Sequence, residues 1–356
     1  MKIAVVLGTR PEIIKMAPVI KQLEKNKVNY FIIHTNQHYS KDMDAVIFED
    51  LNLKKAKYNL EVGSGIHGLQ TGKMLERIEE VYLKEKPDIV LVHGDTNTTL
   101  AGALAAKKMN IKVGHVEAGI RSNDKTMPEE INRVLVDHMI DYYFAPTVAA
   151  NKNLRKENIP EEKIFVVGNT IVDAVLENAK IAEKKSGILK RFNQDKNSYI
   201  LVTAHRPENV DNKKKLKDIL SILEKISEKE KVLFSLHPRT KKKIEEFNLK
   251  IPEKVTAFSP VGYLDFLMLE KNAKLILTDS GGLQEEACIL NVPCITLREN
   301  TERPESVLAG ANIIAGTKPE KVISSVYSMI NAPRCWENPF GKGKTSIKIT
   351  KILVKT

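Results

Sequence analysis

Leu275-Ile276-Leu277-Thr278-Asp279-Ser280-Gly281-Gly282-Leu283-Gln284-Glu285-Glu286 decides the fold. Leu275 to Thr278 reads as a short buried strand, apolar and closed by a β-branched residue. Ser280, Gly281 and Gly282 read as a turn, and Leu283 to Leu290, free of proline, as the helix that follows. A strand that feeds a helix through a short glycine turn is the building unit of a parallel sheet.

The chain repeats this unit on both sides. In the second half Tyr199 to Thr203, Lys231 to Leu236, Val255 to Phe258, Cys294 to Leu297 and Asn312 to Ile314 also read as strands. The first half offers Ile3 to Leu7, Val28 to His34, Ile89 to His93, Lys112 to Val116, Tyr142 to Ala145 and Ile164 to Val167. Helical patterns separate most of them, such as Leu216, Ile219, Leu220, Leu223 and Ile226. An α/β chain with two Rossmann-like, doubly wound domains is expected, which suits 356 residues at about 150 per domain. The lysine-rich polar segment Glu177 to Asn197 marks the boundary, giving domains at 1–175 and 176–339. Ile347, Ile349, Ile352 and Leu353 predict a short amphipathic helix within 340–356 that completes the first domain.

Hydrophobic residues at 42% and charged residues at 28% exclude collagen-like, low-complexity and largely disordered classes. No apolar stretch approaches the roughly 20 residues of a membrane helix, and Gly8 and Arg10 cut off Ile3 to Leu7 too soon for a signal peptide. No membrane partner is expected, and the expected setting is the cytoplasm. Cys288, Cys294 and Cys335 lack a C-x-x-C spacing and read as reduced thiols. The net charge of +11 points to an anionic partner. Its densest runs, Lys213 to Lys215 and Lys241 to Lys243, adjoin helical patterns and fall on solvated faces. With aromatics at 6% and none threaded among these lysines, nucleic acid is not expected. A small phosphorylated ligand would account for a few of the arginines.

In open α/β sheets ligands lie beyond the carboxyl ends of the strands. Those ends are Gly8 to Glu12, His93 to Thr96, Glu117 to Gly119, Ala204 to Arg206, His237 to Arg239 and Asp279 to Gly282, and they are rich in titratable side chains. Gly63-Ser64-Gly65-Ile66-His67-Gly68 matches G-x-G-x-x-G, yet it follows no buried strand and opens no first βαβ unit, so no dinucleotide site is expected. Ser280, Gly281 and Gly282 aim free amides and the positive end of a helix dipole above the sheet, a fit for a diphosphate as well as for a plain capped turn. Glu286, one turn on, is placed to accept from ribose hydroxyls. Gly8 to Pro11 is the equivalent turn of the first half, where Arg10 and Lys15 add positive charge. Asp95, Glu117 and Glu129 stand after strands or at a loop-to-helix junction. There they suit proton transfer on two sides of a sugar ring, or else, for Asp95 and Glu129, helix capping and first-turn placement. Among the histidines His205 beside Arg206 is the acid or phosphate-contact candidate, and no spacing supports a metal site.

Together these segments carry a resemblance. Gly8-Thr9-Arg10-Pro11-Glu12, Asn36-Gln37-His38, His93-Gly94-Asp95-Thr96, His115-Val116-Glu117-Ala118-Gly119, Pro128-Glu129-Glu130, Gly168-Asn169-Thr170, Thr278 to Glu286 and Thr301-Glu302-Arg303-Pro304-Glu305 occur in this order. From Gly8 to about Gly316 the chain resembles the non-hydrolysing UDP-N-acetylglucosamine 2-epimerases. The resemblance implies a glycosyltransferase-B-like architecture with two domains facing a cleft, a homodimer, a UDP-sugar substrate and no cofactor. It implies that UDP leaves C1, that the now acidic C2 proton is lost to give a 2-acetamidoglucal, and that reprotonation from the other face with return of UDP gives UDP-N-acetylmannosamine, for cell-surface polysaccharide synthesis. Asp95, Glu117 and Glu129 become the acid and base set, without a face assigned to each. His205 and Arg10 would steady the diphosphate, with Lys15, Ser280, Gly281, Gly282 and Arg303 in the UDP site and Glu286 on the ribose. Gln37, His38, Arg206 and His237 match a second, activating UDP-N-acetylglucosamine subsite, where Tyr39 and Pro207 replace two arginines common in the family. A hydrolysing epimerase, or one acting on a 2,3-diacetamido UDP-sugar, stands as the alternative, with a nucleic-acid-binding protein the distant one.

Overall fold

A strand whose every residue is apolar must be covered on both faces, and Ile3 to Leu7, all buried, is such a strand. The computed structural model describes residues 1–37 and 41–355, with the side chains of 41–45 left aside, so His38 lies outside the described residues. The chain divides into two compact units, Met1–Ala174 with the segment from Phe340 onward, and Val175–Pro339.

The first unit holds β1 (Lys2–Leu7), β2 (Asn29–His34), β3 (Tyr58–Asn59), β4 (Ile89–His93), β5 (Lys112–Val116), β6 (Tyr142–Ala145) and β7 (Ile164–Val166). The second holds β8 (Tyr199–Thr203), β9 (Lys231–Ser235), β10 (Val255–Phe258), β11 (Leu275–Thr278), β12 (Cys294–Thr296) and β13 (Asn312–Ile314). Their orders are β3-β2-β1-β4-β5-β6-β7 and β10-β9-β8-β11-β12-β13. Pairings in both sheets are parallel, including Val5 with Leu91 across β1 and β4, and Thr203 with Thr278 across β8 and β11. Each sheet reverses its winding once, between β1 and β4 and between β8 and β11, and a doubly wound sheet opens its ligand crevice at that point.

Twelve strands fall where the residue pattern places them. β3 is the addition. It has two residues, Tyr58 and Asn59, paired to Ile33 and His34 at the sheet edge, too short to leave a period in the sequence. The helix after β11 also starts earlier than the apolar run suggests, at Gly281 rather than Leu283, so both glycines belong to its first turn.

Helices cover the sheets with the faces their periodicity exposes. In Lys213–Ser227 the residues Leu216, Ile219, Leu220, Leu223 and Ile226 are buried while Lys213 and Lys214 are exposed. The C-terminal helix Thr345–Lys355 buries Ile349 and Leu353 and packs on the helix Arg10–Lys25 of the first unit. Asp173 caps it, accepting from the Thr345 and Ser346 amides at 3.1 and 3.0 Å and from the Ser346 hydroxyl at 2.7 Å. Gly168 makes this junction possible. Its φ is +100°, and a Cβ there would stand 2.7 Å from the Thr345 hydroxyl. No helix among the described residues is long and apolar enough to cross a membrane.

Candidate active site

At the β1/β4 switch point two loops run side by side, and Glu12 ties them together. One of its oxygens accepts from the Gly8 and Thr9 amides at 2.8 and 2.7 Å and from the Thr9 hydroxyl at 2.9 Å. The other accepts from the hydroxyls of Thr96 and Thr99 at 2.8 and 3.2 Å. Thr9 and Glu12 form a capping box at the head of the helix Arg10–Lys25, with Pro11 in its first turn. Burial pushes the Glu12 carboxyl up to about 7 against the pull of these hydrogen bonds. The residue pattern placed Glu12 in the loop but gave it no such function. Its signal was the Thr-x-x-Glu spacing.

Lys15, one turn further along, is buried, and its Nζ lies 2.5 Å from Oε1 of Glu117. The expected phosphate ligand thus holds a carboxylate in place. Glu117, directly after β5, is itself buried and has φ of +73°, a conformation that costs an ordinary residue about 1 kcal/mol or more. The ring of His93, at the end of β4, stands 3.7 Å from Oε2 of Glu117. Burial holds His93 neutral, down at about 4, despite the opposing charge of Glu117. His115 is structural, with Nδ1 2.7 Å from Asp137 and Nε2 2.7 Å from the Gly94 carbonyl. The buried Asp137 also receives the Gly119 amide at 2.9 Å and pairs with Arg121 at 2.8 Å, which fixes the loop that presents Glu117.

Asp95 does not cap a helix. Thr96 caps Asn97–Lys108, accepting from the Thr99 amide at 3.2 Å, and Asp95 pairs instead with Arg133. Arg133 also binds Glu130 at 3.0 Å, and Glu130 in turn receives the Ser122 and Asn123 amides, each at 2.9 Å. Glu129 is exposed in the first turn of Pro128–Asp137, where the helix dipole favours it. Asp95 and Glu129 share the wall of one cavity of about 280 Å³, together with Gln37, His67, Asn97 and Asn132. Ser64 and Gly65 line it too, so the loop rejected as a dinucleotide site forms part of this wall. Gln37 turns its side-chain oxygen to the Thr98 amide and hydroxyl, at 3.2 and 2.8 Å. Arg10, half-buried, is the first residue of its helix.

In the second unit the β8/β11 switch point is organised by Asp279, fully buried at the end of β11. It receives the His205 and Arg206 amides, both at 2.9 Å, and the Asn209 side chain at 3.1 Å. Its Oδ1 lies 3.3 Å from Nδ1 of His205, which fixes the ring's edge. The His237 ring is 5.4 Å from that of His205, and burial with that neighbour lowers its proton affinity. Ser280 occupies the cap position of Gly281–Ile289 without a cap hydrogen bond from its side chain, so the first-turn amides are presented beside a hydroxyl. A Cβ on Gly281 would meet Oε2 of Glu302 at 3.7 Å, ordinary contact. Burial disfavours the Glu302 charge, but Arg298, bonded to both its oxygens at 2.9 and 3.0 Å, brings it down to about 2. Arg303 pairs with the buried Glu285 at 3.0 Å, which anchors the glycine-headed helix. Glu286, largely buried, receives the Tyr263 hydroxyl at 3.4 Å.

In the first unit Lys15, His93 and Glu117 therefore form one buried cluster, and Asp95, Glu129 and Gln37 line one cavity. In the second, Asp279 holds the His205 and Arg206 amides with His237 beside His205, and Ser280, Gly281 and Gly282 head the helix that carries Glu286. The former offers carboxylates in three different surroundings, the means to take and give protons. The latter offers helix amides and imidazole, the means to hold an anion. Among the described residues no group of three His, Cys, Asp or Glu side chains is arranged for a metal ion.

Known proteins share this construction. A UDP-N-acetylglucosamine 2-epimerase of Methanocaldococcus jannaschii is 60% identical, with 99% of each chain covered. The crystal structure of Methanocaldococcus jannaschii UDP-GlcNAc 2-epimerase in complex with UDP-GlcNAc and UDP superposes with a TM-score of 0.91 at 60% identity over 100% of both chains. A Pseudomonas aeruginosa protein named UDP-2,3-diacetamido-2,3-dideoxy-D-glucuronate 2-epimerase is 40% identical over 100% of both chains. The fold class expected from the resemblance, α/β and glycosyltransferase-B-like, is that of this solved epimerase. The family model for UDP-N-acetylglucosamine 2-epimerase matches residues 21–354, and the chain belongs to that family.

Proposed function

We propose that this chain interconverts UDP-N-acetylglucosamine and UDP-N-acetylmannosamine without hydrolysis, as a homodimer in the cytoplasm that serves cell-surface polysaccharide synthesis. The observation that carries the reading is the set of acidic groups at the β1/β4 switch point. Glu117 is buried against Lys15 and His93, Asp95 is paired to Arg133, and Glu129 lines the same cavity as Asp95. A proton at C2 of a hexosamine has no carbonyl beside it, so a carboxylate cannot remove it directly at a useful rate. Expulsion of UDP changes this. As the bond from C1 to the diphosphate oxygen breaks, C1 gains positive character, one carboxylate takes the C2 proton, and the C–H pair becomes the double bond of a 2-acetamidoglucal. A second acidic group returns a proton to C2 from the opposite face while the diphosphate oxygen re-forms its bond to C1. The sequence is redox-neutral.

In the second unit Ser280 and the amides of Gly281 and Gly282 receive the departing diphosphate, with His205 adding a donor, and Glu286 accepts from the ribose hydroxyls; Arg10 is the first unit's own candidate for phosphate contact. Lys15 and Arg303 act behind the ligand, holding Glu117 and Glu285. Arg206 and His237 in the second unit and, separately, Gln37 in the first are the candidates for contacts to an activating nucleotide sugar. Incubation with UDP-N-acetylglucosamine in deuterated water is expected to place deuterium at C2 of both epimers, read by NMR. Neither label nor epimer would end the proposal. Chromatography of the products separates UDP-N-acetylmannosamine from free N-acetylmannosamine plus UDP. The diacetamido name of the Pseudomonas relative makes a 2,3-diacetamido UDP-sugar the competing substrate to run beside it.

A further inference from the structure

The second unit buries an acidic side chain that the reaction does not use. Glu270, in the last turn of Tyr263–Lys271, is 0% exposed, and no described donor reaches either of its side-chain oxygens. A carboxylate left so would be among the costliest groups a core can hold. Its neighbour is the carboxyl of Glu286, within hydrogen-bonding reach from the adjoining helix Gly281–Ile289. Two carboxyls cannot meet in a dry interior with both charged, so one keeps its proton and donates it to the other. Glu270 is the one that keeps it. It has no contact with solvent, whereas Glu286 reaches the surface and already takes a hydrogen bond from Tyr263 at 3.4 Å. Burial first, and the charge of Glu286 second, raise the proton affinity of Glu270 well above that of an ordinary carboxyl.

We infer that Glu270 is a positioning residue, a neutral acid whose O–H hydrogen-bonds Glu286 and fixes the orientation in which Glu286 accepts the hydroxyls of a nucleoside ribose. With Tyr263 on one oxygen and Glu270 as a second donor, Glu286 turns its remaining lone pairs toward the crevice instead of sampling rotamers. The inference rests on the proposed role of Glu286 at the ribose, and the test separates the two.

Dissociation constants for UDP and for 2′,3′-dideoxy-UDP, which lacks both hydroxyls, are measured by calorimetry, and their ratio reports the ribose contact alone. Loss of one hydrogen bond to a charged group is worth about tenfold. Glu270→Leu is therefore expected to lower the ratio about tenfold, while Glu270→Gln, whose amide can still donate, stays within about threefold of the parent. Glu286→Ala abolishes the ratio if Glu286 binds ribose. Should Glu286→Ala leave it intact, the ribose role fails. Should Glu286→Ala abolish it while Glu270→Leu preserves it, the ribose role stands and the inference is overturned. Equal weakening of both ligands by Glu270→Leu also overturns it, because a purely structural defect does not discriminate. If Glu270→Leu does not fold, the infrared difference between the parent and Glu270→Gln at neutral pH decides. A protonated-carboxyl C=O band in the parent supports the inference, and its absence overturns it.

Discussion

The two switch points are built on the same strand order and filled with opposite chemistry. In the first unit the space beyond β1, β4 and β5 is packed with ionisable side chains that hold one another, Lys15 on Glu117, Arg133 on Asp95, and Glu12 on two loops at once. In the second, one buried carboxylate organises the loops and the head of a helix stands beside imidazoles. Asp279 spends its hydrogen bonds on the His205 and Arg206 amides, and the helix headed by Gly281 turns its own amides outward. A doubly wound sheet supplies a crevice but does not choose its contents. Side chains that must change protonation gain from burial among charges, whereas an anion that must come and go is held by fixed dipoles that need no reorganisation.

The contrast can be broken first at the carboxylates. Asp95→Asn and Glu117→Gln are each expected to lower kcat by about 10²- to 10⁴-fold, the usual range for loss of a general acid or base, with UDP affinity nearly unchanged. Glu129→Gln tests whether the exposed member of the set belongs with them. A loss of UDP affinity matching the loss of turnover would mean that these carboxylates bind the nucleotide rather than move the proton, and the division of labour would fall.

A smaller effect concerns pH. Glu12 has its proton affinity raised to about 7 in the fold from an ordinary 4.5. The folded state then binds this proton more tightly than the unfolded one, so its contribution to stability is complete below about 4.5 and is lost as pH rises through about 7. Urea melts of the parent and of Glu12→Gln across that window are expected to diverge by up to about 3 kcal/mol, the parent losing more as pH rises. Parallel curves would show that Glu12 is ionised throughout and that its five donors outweigh its burial.

The smallest effect sharpens the other side. A Cβ on Gly281 meets only Glu302 at ordinary contact distance, so Gly281→Ala is expected to fold with stability within about 1 kcal/mol of the parent. If the amide of residue 281 lies against a diphosphate, the same change weakens UDP binding about tenfold by crowding the approach, near 1.4 kcal/mol, read by calorimetry. Unchanged affinity would place the phosphate elsewhere on the second unit.

Much of this was legible in the residues because a parallel sheet writes itself plainly. Strands buried on both faces are short apolar runs, and residues that follow them stand at the crevice whatever the loop conformation. That rule alone places Asp95, Glu117, His205 and Ser280 just beyond β4, β5, β8 and β11. It does not place their partners. Arg133 lies on a helix 38 residues from Asp95, and Lys15 is 102 residues from Glu117, so no local spacing joins either pair. The sequence by itself determined the alternation of elements, the strand ends that carry chemistry and the glycine turn with free amides, since periodicity and backbone propensity are local properties. Only the tertiary structure decided which carboxylate meets which cation, that Thr96 rather than Asp95 caps its helix, and that Glu12 and Glu270 are buried. Burial and pairing arise when distant segments exclude water together, and that is a property of the packed chain.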